Sequence, residues 1–221
     1  MGKKAWPDQT IHCHPLENHP LQVEHYTREQ KDGVLDVLCD AFHDYPVMRY
    51  VLNDAHEEYD EHLRLLIELF CESRLTRGLP LFGISDGAKP VAVAVVSDPV
   101  EQPAPPALTV IEQSLAQRIG EGAMARMALY DAACEESDPG RPIHYLGMLG
   151  VGRACQGMGY GKGLIEATKA LAQSSSRSAG VLLNTETEKN VSYYESQGFR
   201  VVGEADAEGL QTWSLFWAKS G

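Results

Sequence analysis

A short glycine-rich segment organises this protein, Gln156-Gly157-Met158-Gly159-Tyr160-Gly161-Lys162. Residues 143–151 before it read as an apolar strand, and residues 161–173 at its end read as a helix. Glycine lets a ligand approach the backbone closely, and the N–H groups at a helix N-terminus point at a bound anion. The segment therefore predicts a binding loop for a pyrophosphate, with Lys162 placed to meet a phosphate.

Two common nucleotide-binding patterns do not fit this loop. In the Walker pattern, counting five residues on from Gly152 reaches Gly157, but Met158 follows instead of Lys. The dinucleotide pattern G-x-G-x-x-G would need glycine at Lys162 or at Leu164. A general phosphate binder and a glycine-rich turn without any ligand remain open on the loop alone.

Strands and helices alternate through the second half of the chain. After the glycine loop and its helix we predict a strand over 181–185, a helix over 190–197, and a final strand pair over 199–203 and 211–217. This order is typical of an α/β fold (a mixed α+β arrangement) with a partly parallel sheet and crossover helices.

The first half of the chain supplies helices and a hairpin. A capping box at Thr27 and Gln30 starts one helix, and Gly78 ends another. The remaining predictions are a strand over 21–26, a helix over 56–77, a hairpin of 81–84 with 91–96, and two helical pieces within 108–134. We expect a flexible leader over 1–20 and a single domain over 21–221.

Charge and composition narrow the class of protein. Nineteen Lys and Arg against 31 Asp and Glu give a net charge of −12, which repels nucleic acid and favours a cationic or amine ligand. No apolar run is long enough for a membrane span, and the N-terminus does not resemble a secretory signal. Five cysteines without a CxxC pair predict reduced thiols in a cytoplasmic protein. His12, Cys13, His14 and His19 lack a spaced second pair of ligands, so no metal is assigned.

A second segment, Asn190-Val191-Ser192-Tyr193-Tyr194-Glu195-Ser196-Gln197-Gly198-Phe199, adds a motif. Together with Leu149-Gly150-Val151 and the glycine loop, it resembles the GNAT acetyltransferase superfamily. The stretch Ala41-Phe42-His43-Asp44-Tyr45-Pro46, the helix over 56–77 and Thr212-Trp213 resemble its puromycin N-acetyltransferase branch in particular. The resemblance spans nearly the whole chain from residue 21 onward.

The resemblance implies a central mixed sheet of about seven strands, flanked by helices, that splays open at the strand ending in Val151. The main chain of this strand would pair with the pantetheine arm of acetyl-CoA, and Asn190 would bond the same arm. The residues expected to bind acetyl-CoA are Leu149, Val151, Gln156, Gly157, Met158, Gly159, Tyr160, Gly161, Lys162 and Asn190.

The resemblance also implies catalytic roles. Tyr194 would protonate the leaving thiolate as general acid, with Tyr193 as an alternative. The branch often has a glutamate where this chain has Asn184, whose amide cannot take a proton. Glu186, two residues on, would face the same side if the strand continued and could substitute as the base. We nevertheless interpret it as a solvated loop carboxylate and expect base catalysis through ordered water. Tyr45 and Asn184 are the candidate acceptor-pocket residues.

The function that follows is an acetyl-CoA-dependent N-acetyltransferase acting on an unidentified small amine by direct attack on the thioester. A non-catalytic acyl-CoA-binding module of the same fold is the alternative, since fold does not fix function. The sequence does not name the acceptor, and a homodimer is possible. His144, at the start of the strand over 143–151, is expected to serve structure.

Overall fold

The computed structural model of this chain describes residues 22–100, 103–135 and 140–220. The predicted leader and its histidines and Cys13 therefore lie outside the described residues. The strands are β1 (Glu24–His25), β2 (Leu81–Asp86), β3 (Lys89–Ser97), β4 (His144–Val151), β5 (Gly180–Thr185), β6 (Arg200–Ala207) and β7 (Leu210–Ala218). The helices are α1 (Lys31–Phe42), α2 (Pro46–Val51), α3 (Tyr59–Arg77), α4 (Pro106–Ile119), α5 (Glu121–Glu135), α6 (Tyr160–Ser174) and α7 (Glu188–Ser196).

The seven strands form one sheet in the order β1-β2-β3-β4-β5-β7-β6. Strands β4 and β5 are parallel and are joined by the crossover helix α6, whereas the other neighbours are antiparallel. The predicted mixed sheet of about seven strands flanked by helices is confirmed.

Strand β3 is buried on both faces, which explains its unbroken apolar sequence. Val93 and Val95 point into one hydrophobic cluster together with residues of α1 and α3. Ala92 and Ala94 point into a second cluster that includes α6. The sheet thus separates two cores, with α1 and α3 on one face and α6 on the other.

Local signals set the helix ends. The capping box is present: Thr27 accepts from the Glu29 amide, and the Gln30 side chain accepts from the Thr27 amide. Gly78 ends α3 in the left-handed conformation, with φ of 64°. The short helix α2 is not among the helices predicted from the sequence. Proline suits the first helical turn, where its missing N–H costs nothing, and α2 starts there.

The sheet opens between β4 and β5. Only His144 with Val181 and Tyr145 with Leu182 are paired across this boundary. Beyond Tyr145 the two strands separate, while β4 stays paired with β3 as far as Val151. The splay that the resemblance implied is therefore present at the expected strand, and it leaves one edge of β4 open along most of its length.

The thiols agree with the sequence interpretation in part. Cys39, Cys71 and Cys134 are free. Cys155 is disulfide-bonded, so the expectation that every cysteine is reduced is wrong at this position. Among the described residues, no helix is both long and apolar enough to cross a membrane.

Candidate active site

The gap between β4 and β5 opens into a cavity of about 820 Å³. One side, here called the loop wall, consists of Leu149, Val151, Cys155, Gln156, Gly157, Gly159, Tyr160, Gly161 and Lys162. The opposite side, here called the helix wall, consists of Val47, Met48, Val51, Leu66, Phe70, Arg74, Met127, Tyr130, Asp131, Tyr145 and Gly147. Between the walls, the end of β5 and helix α7 contribute Asn184, Glu186, Asn190, Tyr193 and Tyr194, and Tyr45 joins them from the corner before α2.

The glycines of the loop wall hold conformations that other residues avoid. Gly157 and Gly159 have φ of 80° and 85°. A Cβ at Gly161 would lie 3.3 Å from the Tyr193 hydroxyl and 3.7 Å from a Val151 methyl, so glycine keeps this gap open. The loop is therefore shaped for close approach to its backbone.

The backbone N–H groups of the loop are placed to bind an anion. Gly163 donates to the Gly159 carbonyl at 3.0 Å and makes the first internal bond of α6. The preceding amides have no partner within the helix, as at every helix start, and Gly159 provides no side-chain cap. With the positive end of the dipole of this 15-residue helix, these groups fit the pyrophosphate that the sequence predicted.

The open edge of β4 continues the loop wall. Because Gly152 donates to the Val91 carbonyl on β3, the alternating main-chain groups of Val151 and Leu149 point the other way, into the gap. The Gln156 side chain donates to the Val151 carbonyl at 3.2 Å. The main chain at Leu149 can therefore pair with an extended ligand.

One loop residue, Met158, differs from the predicted binding set, whereas Lys162 does not. Met158 does not line the cavity; its side chain packs against the hydrophobic cluster around α6. Only its main chain remains available to a ligand. Lys162 is exposed at the mouth of the cavity, where the sequence placed it.

Tyr194 projects from α7 toward the cavity. Its ring packs edge-on against Phe199, with centroids 5.8 Å apart, and is tilted against Tyr193 at 5.5 Å. Among the described residues no hydrogen bond engages its hydroxyl. Burial raises the pKa of the Tyr194 phenol well above its usual value, so the group is protonated at neutral pH. A protonated phenol without a partner can donate to a ligand in the cavity.

The hydroxyl of Tyr45 is already occupied. It lies 2.8 Å from Thr185 Oγ1 and accepts at 3.3 Å from the Glu186 amide and from Asn190 Nδ2. Tyr45 therefore ties the end of β5 to α7. Asn190, predicted to bond a pantetheine arm, lines the cavity but donates to this tyrosine.

Asn184 also lines the cavity, and its amide donates to Ser214 Oγ on β7 at 2.7 Å. The same alternation of β5 brings Glu186, two residues on, to the cavity as well. The side chain that stands where the resembling family carries glutamate is thus held by the sheet, and the carboxylate beside it belongs to Glu186.

Glu186 is buried, with 8% of its surface exposed, so its interpretation as a solvated loop carboxylate is wrong. Tyr130 donates to Oε1 at 2.7 Å and Thr212 donates to the same oxygen at 3.1 Å, while neither uses Oε2. Burial raises the pKa of Glu186, and these two hydrogen bonds partly offset the rise. The sequence signal was its place two residues after Asn184; the supporting Tyr130, 56 residues away, carried none.

Two further charged groups on the helix wall had no sequence signal. Arg74 of α3 donates to Ser97 Oγ at 2.9 Å, and its Nε is buried without a hydrogen-bond partner. Asp131 of α5 lines the same wall, and partial burial followed by the charge of Glu135 raises its pKa to about 6. His144, by contrast, is bonded to Ser178 at 2.9 Å in the core, as expected for a structural residue.

Metal chemistry has no evident ligand set here. Within the described ranges, no three His, Cys, Asp or Glu side chains are grouped closely enough to hold a metal ion. The reactive groups of the cavity are therefore a buried carboxyl, a protonated phenol and a guanidinium, together with the backbone of the loop wall.

Comparison with known proteins shows which protein family and which solved structures this chain resembles. The family model of the acetyltransferase (GNAT) domain matches residues 108–201, which contain β4, the glycine loop and α7. A Corynebacterium glutamicum structure, described as histone acetyltransferase HPA2 and related acetyltransferase, has a TM-score of 0.67 at 19% identity, covering 91% of this chain and 97% of that one. Residues 108–201 are therefore similar to the GNAT acetyltransferase domain, and the chain has the GNAT fold.

Two further acetyltransferase structures have a similar fold at lower TM-scores. Drosophila melanogaster polyamine N-acetyltransferase, which forms N-acetylagmatine, has a TM-score of 0.59 at 10% identity, with 90% of this chain and 100% of that chain covered. The NatC complex bound to Gag peptide and CoA has a TM-score of 0.50 at 16% identity, with 91% and 100% covered. At such identities these likenesses concern the fold.

Proposed function

We propose that this protein is an acetyl-CoA-dependent N-acetyltransferase that acts on a small amine. The observation that carries the proposal is the meeting, in one cavity, of an anion-binding helix start, an open strand edge and a buried carboxyl beside a protonated phenol. Acetyl-CoA has a pyrophosphate, an amide-containing arm and a thioester in that order, which matches the order of these features. The resemblance to the puromycin N-acetyltransferase branch belongs to the same proposal and names no substrate.

The chain would hold acetyl-CoA mainly through its backbone. The amides from Gly157 to Lys162 bind the pyrophosphate, and the main chain of Leu149 and Val151 pairs with the arm. The bound thioester supplies an acetyl carbon that an amine can attack, with the thiol as the leaving group. Because the arm runs along β4 away from the loop, its reactive end lies beside α7 and the end of β5.

Glu186 is the proposed general base. An amine with a pKa near 10 is mostly an ammonium ion at neutral pH and must lose a proton before it attacks. The raised pKa of Glu186 makes it a stronger base than an ordinary carboxylate, and Oε2 is not engaged by Tyr130 or Thr212. This assignment replaces the ordered water that we expected from the sequence.

Tyr194 is the proposed general acid. As the new C–N bond forms and the C–S bond breaks, its hydroxyl gives a proton to the departing sulfur. The resulting phenolate takes one of the two protons on the acetylated nitrogen, which leaves a neutral amide with one N–H and restores the phenol. Glu186 passes the first ammonium proton to solvent. One proton is therefore released for each acetyl group transferred.

The test measures binding and turnover separately. Acetyl-CoA should raise the melting temperature of the protein far more than ATP or NAD does at the same concentration. Free CoA thiol should then appear when amines are added, at a rate that depends on the amine. Equal stabilisation by ATP and NAD would contradict the proposal and support a general phosphate binder. Acetyl-CoA binding without thiol release across a broad amine panel would support a non-catalytic acyl-CoA-binding module.

A further inference from the structure

Arg74 is a partly buried cation that makes no ion pair with any described residue. Its side chain lies between α3 and the sheet, and the hydroxyl of Ser97 is its hydrogen-bond partner at 2.9 Å. Nε is out of solvent and unpaired, and among the described residues no carboxylate lies within 4 Å of the guanidinium. Burial lowers the pKa of Arg74, yet a guanidinium stays charged at neutral pH.

A charge in this state is costly unless something pairs with it. Structural arginines elsewhere in this chain show the usual solution: Arg64 bonds Asp36 at 2.7 Å, and Arg126 bonds Asp54 at 2.6 Å. Arg74 differs from them in lining the cavity. Its missing anion is therefore best supplied by a ligand in that cavity.

The position of Arg74 along β4 indicates which part of a ligand it meets. A Cβ built on Gly147 would lie 3.5 Å from Arg74 Nη2 and 3.4 Å from the Tyr145 ring, so the guanidinium stands over this glycine. Gly147 precedes Leu149 on β4, further from the glycine loop, and it is the extra residue of a bulge, since Val95 pairs with Met148 and Val96 with Leu146. Arg74 thus lies beyond the reactive end of the acetyl-CoA arm, on the acceptor side.

We propose that Arg74 binds a carboxylate of the acceptor, so that the acceptor class of this site is amino acids and closely related amino carboxylates. The inference rests on the proposed acetyl transfer and specifies its substrate. The acceptor's ammonium group faces Glu186, and its carboxylate faces Arg74. A zwitterion therefore matches the opposite charges of Glu186 and Arg74, two of the charged residues that line the cavity.

The two charged groups of an amino acid lie only a few ångströms apart, and Arg74 and Glu186 line the same cavity. A short amino carboxylate could therefore meet both residues. The apolar residues of the helix wall, such as Leu66 and Phe70, would surround its side chain.

The experiment compares amines that differ only by a carboxylate: arginine with agmatine, lysine with cadaverine, and phenylalanine with phenethylamine. For the wild-type protein we expect kcat/KM to be at least about tenfold higher for the carboxylated member of the preferred pair. Equal or higher values for the decarboxylated members would overturn the proposal.

Substitutions test whether Arg74 is the residue that causes the preference for carboxylated amines. Arg74→Met should raise KM for the amino acid by about 10- to 100-fold and remove the preference, Arg74→Lys should keep part of it, and the Kd for acetyl-CoA should not change. Arg118→Met removes an equal charge from an exposed ion pair with Glu61 and should keep the preference. An Arg74→Met enzyme that still prefers the carboxylated amine would contradict the assignment.

Failure of the proposed function looks different from failure of this inference. If no amine releases CoA thiol, acetyl transfer itself is contradicted. Binding then tests Arg74 independently: in the presence of CoA, arginine should raise the melting temperature more than agmatine does. Equal shifts for the two would overturn the carboxylate site even if some other amine is acetylated.

Discussion

The two walls of the cavity present different kinds of chemical group to a ligand. The loop wall presents mainly backbone: glycine amides before α6 and the open edge of β4. The helix wall presents side chains from α2, α3 and α5, which meet only after the chain has folded. The groups that a backbone wall presents do not depend on which side chains the sequence carries, whereas those of a side-chain wall change with each substitution.

The difference teaches where specificity resides in this fold. Substitution on the loop wall should weaken acetyl-CoA binding for every acceptor. Substitution on the helix wall should change the choice or activation of the acceptor and leave acetyl-CoA binding intact. Glu186 and Tyr194 lie between the walls, and their variants should lower turnover without weakening acetyl-CoA binding.

The largest effect is expected for Glu186→Gln. Loss of the proton acceptor should lower kcat/KM by about 100- to 1000-fold. Because burial raises the pKa of Glu186, activity of the wild-type protein should fall on acidification at a pH above the ordinary carboxyl range, as the base becomes protonated. A pH-rate profile of both proteins checks this.

The control for that prediction is Glu188→Gln, two residues further on, where the carboxylate is exposed at the start of α7. It should retain nearly full turnover. An acidic limb that persists unchanged in Glu186→Gln would show that another group is the base.

A smaller effect, about 10- to 100-fold on kcat, is expected for Tyr194→Phe. The Kd for acetyl-CoA should stay within about twofold of wild type, because the ring remains packed against Phe199. Stopped-flow turnover together with calorimetric titration measures both quantities. If Tyr193→Phe instead causes the loss, the acid is the neighbouring tyrosine, whose ring lies 5.5 Å away.

Next in size is Gly157→Val on the loop wall. Its φ of 80° strains a β-branched side chain, so the loop should distort and the Kd for acetyl-CoA should rise about tenfold. Gly78→Val is a matched control: φ is 64°, a Cβ there also meets nothing within 4 Å, and the residue lies at the end of α3. Both variants should lose stability, measured by thermal unfolding, but only Gly157→Val should lose affinity.

The smallest effect is expected for Asp131→Asn on the helix wall. The pKa of Asp131 is raised to about 6 in the folded state, so its contribution to stability is present below about pH 4 and is lost as pH rises through 6. The variant should match wild type at pH 4 and melt about 1–3 °C higher at pH 7.5, since partial exposure reduces the effect.

Glu112→Gln removes an exposed charge from α4 and serves as the control for this last prediction. It should change the melting temperature equally at both pH values. A stabilisation by Asp131→Asn that is the same at pH 4 and pH 7.5 would contradict the linkage.

Structural features that depend on residues close together in the sequence could be predicted. The glycine loop, the capping box at Thr27 and the stop at Gly78 follow from local backbone chemistry, and strand alternation gave the mixed sheet. The helix wall was not predictable, since Arg74 and Asp131 come from helices 57 positions apart in sequence. Glu186 was misjudged for the same reason, because its burial depends on Tyr130 and Thr212.

The open side of β4 has one more consequence. An unpaired strand edge is ordinarily a hazard, because it offers a template on which a second chain can add a strand and begin to aggregate. Here the open edge begins beyond Tyr145 and lines the cavity together with residues of α7. A ligand that paired with this edge would also cover it, so binding would protect the protein from self-association.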